Sequence, residues 1–233
     1  MEQETILKIE QSIKNLESKS ARIYFLVQDT KGNAKAGIRF IYQMAKSLKD
    51  NGFNPIILHE TQAYQGVAEW MGAEYMEIPH NAIENQNLQI SPEDIVVIPE
   101  IYGHVMEQIS KLPCGKIVLC QAYDHMLETL SPGISWSQYG FMKCITTSDL
   151  QKEHVSKIMK NVSFDIVEPL IPELFNKKEK PAKPIVCIHT REPRDTMKIV
   201  KEFYLKYPQY RWITFRDMRA TNQEEFARLL KES

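Results

Sequence analysis

The chain has 233 residues, 43% of them hydrophobic and 25% charged, with 29 Lys and Arg against 30 Asp and Glu for a net charge of −1. A globular domain of this length buries a core without disulfide support. The charge balance leaves no global basic excess for nucleic acid, and the longest apolar runs, at 95–99 and 117–120, fall far short of the roughly 20 residues a membrane span needs.

Residues 3–18 predict an amphipathic helix, with Ile6, Ile9, Ile13 and Leu16 at three- and four-residue spacing. Docked on the domain it is ordinary. Unpartnered, it would serve as a homo-oligomer seam or a peripheral membrane contact, and Glu2, Glu4, Glu10 and Glu17 argue against an anionic membrane. From Arg22 the pattern becomes β then α, repeated. A buried strand is predicted at 23–28, a polar Gly-containing loop at 29–35, and a helix at 38–49 closing at Asn51-Gly52. Further strands are predicted at 55–58, 75–78 (weaker), 95–98, 116–120, 144–147 and 163–167. The intervening helices fall at 62–71, 105–112 and from Ser148 or Asp149 to Met159.

Short apolar strands alternating with amphipathic helices imply a mostly parallel, Rossmann-like sheet covered on both faces. The segment 168–184 carries four prolines and a lysine-rich run and reads as a linker. Alternation restarts after it, with strands at 184–189 and 211–215 and helices at 196–207 and 223–231. The expected organisation is an N-terminal helix at 1–19, a Rossmann-like domain at 20–168, a linker at 169–183 and part of a second α/β domain at 184–233.

Cys114, Cys120, Cys144 and Cys187 form no C-x-x-C pair and sit in or beside apolar runs, which reads as reduced, buried thiols. The N-terminus is too polar for a signal peptide, so a cytoplasmic location is expected and the sequon Asn161-Val162-Ser163 reads as chance.

Ligands of open α/β sheets bind beyond the carboxyl ends of the strands. That rule selects Gly32, Asn33 and Gly37 after the first strand, Glu100, Tyr102 and His104 after another, and Gln121, Tyr123, Asp124 and His125 after the next. In the second unit it selects Arg191 and Arg194. The glycines precede a helix, where a small side chain permits close approach of a ligand. His104 and His125 are candidate acid/base groups. Arg191 and Arg194 could grip a diphosphate through their planar guanidinium forks. Gly32 and Gly37 are not followed by Lys-Ser/Thr, no G-x-G-x-x-G or G-x-S-x-G follows a strand, and the six histidines lack metal-ligand spacing. No metal and no cofactor are expected.

The strand-loop-helix-strand at 23–58, containing RFIYQMAKSLKDNGF, resembles the start of the GT-B glycosyltransferases of the family 4-like (group 1) type. DIVVIPEIYG at 94–103 and KIVLCQAY at 116–123 resemble later strands of the same domain. VEPLIPELF at 167–175 resembles the interdomain crossing, and 184–194 the opening of the donor-binding domain. The resemblance implies a hexosyltransferase with a nucleotide-sugar co-substrate and a glycan, lipid-linked or small-molecule acceptor. It implies donor-diphosphate contacts at Arg191 and Arg194, and acceptor-side contacts at Gly32, Asn33, Gly37, Glu100, Tyr102, Gln121, Tyr123 and Asp124. The double Gly common in the early loop is reduced to single glycines, and the family's later acidic motif has no counterpart before residue 233. A truncated enzyme is one expectation; a non-catalytic binding subunit that needs a partner to complete its cleft is the alternative.

Overall fold

The computed structural model describes residues 20–31, 35–63, 72–171, 173–175, 185–188, 193–211, 214–217 and 223–231. The expected helices at 3–18 and 62–71 lie largely or wholly outside them. The chain divides into two compact units, 1–170 and 171–233.

The first unit is built on seven strands: β1 (Arg22–Val27), β2 (Asn54–His59), β3 (His80–Ala82), β4 (Ile95–Pro99), β5 (Gly115–Cys120), β6 (Lys143–Thr146) and β7 (Ser163–Ile166). All six pairings are parallel, in the order β3-β2-β1-β4-β5-β6-β7. It is a Rossmann-like α/β sheet, as the alternating pattern implies. Among the described residues four α-helices accompany the strands: α1 (Ala36–Asp50), α2 (Met106–Ser110), α3 (Tyr123–Thr129) and α4 (Asp149–Ile158).

Successive side chains of a strand point to opposite faces, and both faces of this sheet are covered. In β1, Ile23, Phe25 and Val27 pack with Ile38, Ile41, Tyr42 and Ala45 of α1. Tyr24 and Leu26 pack on the other side in a cluster with Met126, Trp136, Phe141 and Val155. α1 ends where the sequence expects: Gly52 takes φ 81°, and the Gly52 and Phe53 N–H groups donate to the Lys49 and Leu48 carbonyls at 2.9 and 3.0 Å.

At the amino edge of the sheet, Asp94 latches β4 to β1. It accepts from Arg22 Nη2 at 2.6 Å and Nε at 3.0 Å, from the Arg22 backbone N–H at 3.1 Å, and from Ser91 N–H and Oγ. Burial alone would raise the Asp94 carboxyl; the bonds from Arg22 and Ser91 outweigh it and hold the group below its ordinary range.

One predicted strand is corrected. Residues 75–78 are not extended: Ala73–Tyr75 form a 3₁₀ turn, and the edge strand is β3, His80–Ala82. Ile78 is buried, but from a turn that drops its side chain into the core beside α1. Cys114, Cys120 and Cys144 are free and buried, and burial raises all three thiols, that of Cys144 to about 12.

The second unit carries two parallel strands, β8 (Ile185–Ile188) and β9 (Thr214–Asp217), with α5 (Pro193–Lys206) and α6 (Gln223–Lys231). Phe203 and Tyr204 of α5 meet Phe215 edge-on at 5.1 and 5.4 Å between ring centroids, and Phe175 meets Phe226 of α6 at 6.1 Å.

Candidate functional site

The strand order reverses direction between β1 and β4, the position at which doubly wound sheets open a crevice beyond their carboxyl ends. Because every strand is parallel, the segments following β1, β2, β4, β5 and β6 all emerge on this one edge.

Glu100 organises it. Its carboxylate is buried at 2% exposure and accepts the Gln121 N–H at 3.0 Å on one oxygen and the Ala122 N–H at 2.9 Å on the other. The end of β4 thereby fixes the backbone leaving β5. Thr129 Oγ1 lies 2.9 Å from the Glu100 and His125 carbonyls, to either of which its hydroxyl hydrogen donates. Burial pushes the Glu100 carboxyl up, and the two N–H bonds act against it. Gly103 makes this packing possible: a Cβ there would stand 2.8 Å from the Thr129 backbone.

Over the end of β1, Tyr102 donates its phenolic hydrogen to Glu60 at 2.8 Å, joining the segments that follow β4 and β2. Burial, and then the neighbouring carboxylate, drive this phenol well above its ordinary range. Asp29 accepts the Lys31 N–H at 2.9 Å, turning the chain out of β1 with Lys31 at φ 49°. Beside this turn, the buried His59 at the end of β2 and the half-buried His80 at the start of β3 form an imidazole pair.

The carboxyl ends of β5 and β6 frame an open cleft of about 360 Å³. Tyr123, Asp124, Leu150 and His154 line it together with Gln121 and Gln151. Tyr123 and His154 stack with centroids 5.9 Å apart and planes 21° apart, while Tyr123 stays 50% exposed. Ser148 caps α4 by accepting the Gln151 N–H at 3.3 Å. Gln151 is nearly buried, and its Oε1 accepts both the N–H and the hydroxyl of Thr147, at 2.8 and 2.9 Å.

The structure brings several sequence-selected residues together. A Cβ on Gly37 would lie 2.9 Å from Gln121 Oε1, so the start of α1 faces the end of β5. Glu100 and Tyr102 are buried and committed to protein partners, whereas Tyr123 and Asp124 are exposed. His104 is exposed, with its ring 6.2 Å from that of Tyr102. His125 is half-buried and stands 3.5 Å from Glu128 on its own helix. Gly32, Asn33 and Arg191 lie outside the described residues. Arg194 is exposed in the first turn of α5. Among the described residues no group of three or more His, Cys, Asp or Glu is placed to hold a metal ion, and no helix is long and apolar enough to cross a membrane. Glu60, the His59–His80 pair and the Tyr123–His154 stack were not selected from sequence. Each joins residues 21 or more positions apart, and no local pattern marks them.

No family model matches the chain. Over 159 residues it is 22% identical to an alpha-1,6-glucosyltransferase of Actinobacillus pleuropneumoniae serotype 7 (strain AP76). The match covers 65% of this chain and 47% of that protein, so the chain spans about half the length of the relative it resembles.

Proposed function

We propose that the chain acts in glycosyl transfer, moving a sugar, in the first instance glucose, from a nucleotide-sugar donor to an acceptor hydroxyl. The observation that carries the reading is the similarity to a glucosyltransferase over 159 residues. The seven-stranded parallel sheet, with its polar loops gathered at one edge, supports it. The reading needs no resident cofactor or metal.

In the step itself, the bond between the sugar's anomeric carbon and the diphosphate oxygen breaks, and a bond from that carbon to the acceptor oxygen forms. The electron pair leaves with the nucleoside diphosphate, and the acceptor's proton passes to a base or to the departing phosphate. Arg191, Arg194 and the start of α5 would stabilise the charge on the leaving group. His104 and His125 are the candidate proton carriers, and the carboxyl edge of the large sheet would orient the acceptor.

The test is direct. The chain, alone and as part of any longer protein that contains it, is incubated with a panel of nucleotide-sugars including UDP-glucose. Nucleoside diphosphate release and product mass are followed together, and donor binding is measured by calorimetry. Donor-dependent release matched by a glycosylated product is expected. Absence of binding and of release across the panel in both forms would overturn the reading.

A further inference from the structure

We propose that the cleft between the carboxyl ends of β5 and β6 is a carbohydrate subsite that takes a pyranose ring. Tyr123 supplies its apolar platform, and Asp124 and Gln121 supply its hydrogen bonds. The inference rests on the reading of this edge as the acceptor side and adds to it the chemical class of the acceptor.

A pyranose presents an apolar C–H face and a rim of hydroxyls, so a site for it pairs an aromatic surface with side chains that accept and donate. The cleft has both. Tyr123 keeps half of its surface in solvent while His154 stacks against it and fixes the ring, and Leu150, 65% exposed, extends the apolar surface. A sugar ring laid there removes apolar area from water. At the lip, the Asp124 carboxylate accepts no hydrogen bond among the described residues. Its two oxygens can accept a pair of neighbouring hydroxyls, and the Gln121 amide can both donate and accept. A volume of about 360 Å³ holds one or two sugar rings, and the open mouth lets a longer glycan run out.

Charge selects against the other ligands of such edges. Among the described residues no Lys or Arg lines the cleft, and Asp124 places a carboxylate in it, so from these residues a diphosphate or a lipid phosphate meets one repelling charge and no lysine or arginine. A neutral, hydroxyl-rich ligand suits this lining. The walls are also set in advance. Glu100 holds the backbone of Gln121 and Ala122, while Ser148 and Gln151 fix the turn into α4, so little ordering is left for binding to supply.

The experiment uses the full chain without donor. Binding of methyl α-D-glucopyranoside and maltose is followed by saturation-transfer NMR and by amide chemical shifts, with glycerol as the control. Both saccharides are expected to saturate most strongly on one C–H face and to shift amides at 121–124 and 147–154, with glycerol silent. Tyr123→Ala should weaken maltose about tenfold, Tyr123→Phe should retain it, and Asp124→Asn should weaken it. If Tyr123→Ala unfolds, the Phe and Asn variants and the shift map decide. No saturation by either saccharide, shifts away from these segments, or equal affinity in folded Tyr123→Ala would overturn the subsite. Transfer to a sugar-free acceptor without saccharide binding sinks the subsite alone. Saccharide binding here with no donor use sinks the transfer reading alone.

Discussion

His59 Nε2 and His80 Nδ1 stand 2.8 Å apart, and the two rings stack at 5.0 Å between centroids. One nitrogen donates and the other accepts, which requires that they not both carry protons. Burial, and then the neighbouring His80, push His59 down from 6.5 to about 4, with Asp29 acting in the opposite direction. Burial also lowers His80.

The pair therefore makes folding depend on pH. Its folded pKa values are depressed, so the unfolded chain binds protons first. The stabilisation is complete above about 6.5 and is lost as pH falls from there towards about 4. For His59 the loss is on the order of 3 kcal/mol. Urea denaturation at steps from pH 7.5 to 5 should show a falling midpoint, and His59→Phe should flatten the curve. A flat wild-type profile over this window would show that the pair is not held neutral.

Replacing Glu100 with Ala strands two backbone donors, the N–H groups of Gln121 and Ala122. The expected cost is roughly 1–3 kcal/mol of stability, with faster hydrogen exchange at those two amides. Unchanged exchange would mean that the segment is held by something other than the carboxylate.

Gly103 and Gly37 should respond oppositely to alanine. At Gly103 the new Cβ meets the Thr129 backbone at 2.8 Å, which cannot yield without moving α3. A loss of roughly 1–3 kcal/mol is expected. At Gly37 the nearest atom, at 2.9 Å, is the end of the Gln121 side chain, which can swing away. Alanine is the better helix former by about 1 kcal/mol, so Gly37→Ala should be neutral or stabilising. Thermal denaturation of the two variants side by side checks the contrast.

Arg194 is exposed, so Arg194→Ala should leave stability within about 0.5 kcal/mol. If it contacts a donor diphosphate, the same change should weaken nucleotide-sugar binding by roughly 1.5–3 kcal/mol. Arg191→Lys should weaken binding too, because an ammonium cannot form the bidentate fork. Calorimetry showing equal donor affinity in both variants would remove the diphosphate assignment.

The sheet was legible in the sequence because its central strands are continuous apolar runs: IVVIP in β4 and IYFLV in β1 need nothing beyond local pattern. β3 was not, since His80-Asn81-Ala82 has no apolar run, its one apolar residue being Ala82, and it is set in place by its parallel pairing with β2. α3 was missed for a related reason. It buries a single residue, Met126, so no amphipathic stripe announces it. The site was legible by position only. The rule that ligands lie beyond strand ends selected Tyr123, Asp124 and Gln121 for the cleft, but it also selected Glu100 and Tyr102, whose side chains fasten the loops together. Which of two polar residues faces solvent and which faces a neighbouring backbone is decided by packing across the sheet.

The order of the sheet also bears on how the chain acquires its structure. β1 pairs with β2, only about 30 residues later, but its other flank waits for β4, since Ile23 lies opposite Ile95. During synthesis β1 and β2 leave the ribosome before β4 does, so they are free to pair while β4 is still absent from the folding chain. In that interval the open flank of β1 presents Ile23, Tyr24 and Phe25 with unpaired backbone groups, a template for strands of other chains. The vulnerable species is thus a nascent one. Slower elongation after β2 would prolong its lifetime, and the aggregation it invites would leave the stability of the finished protein unchanged.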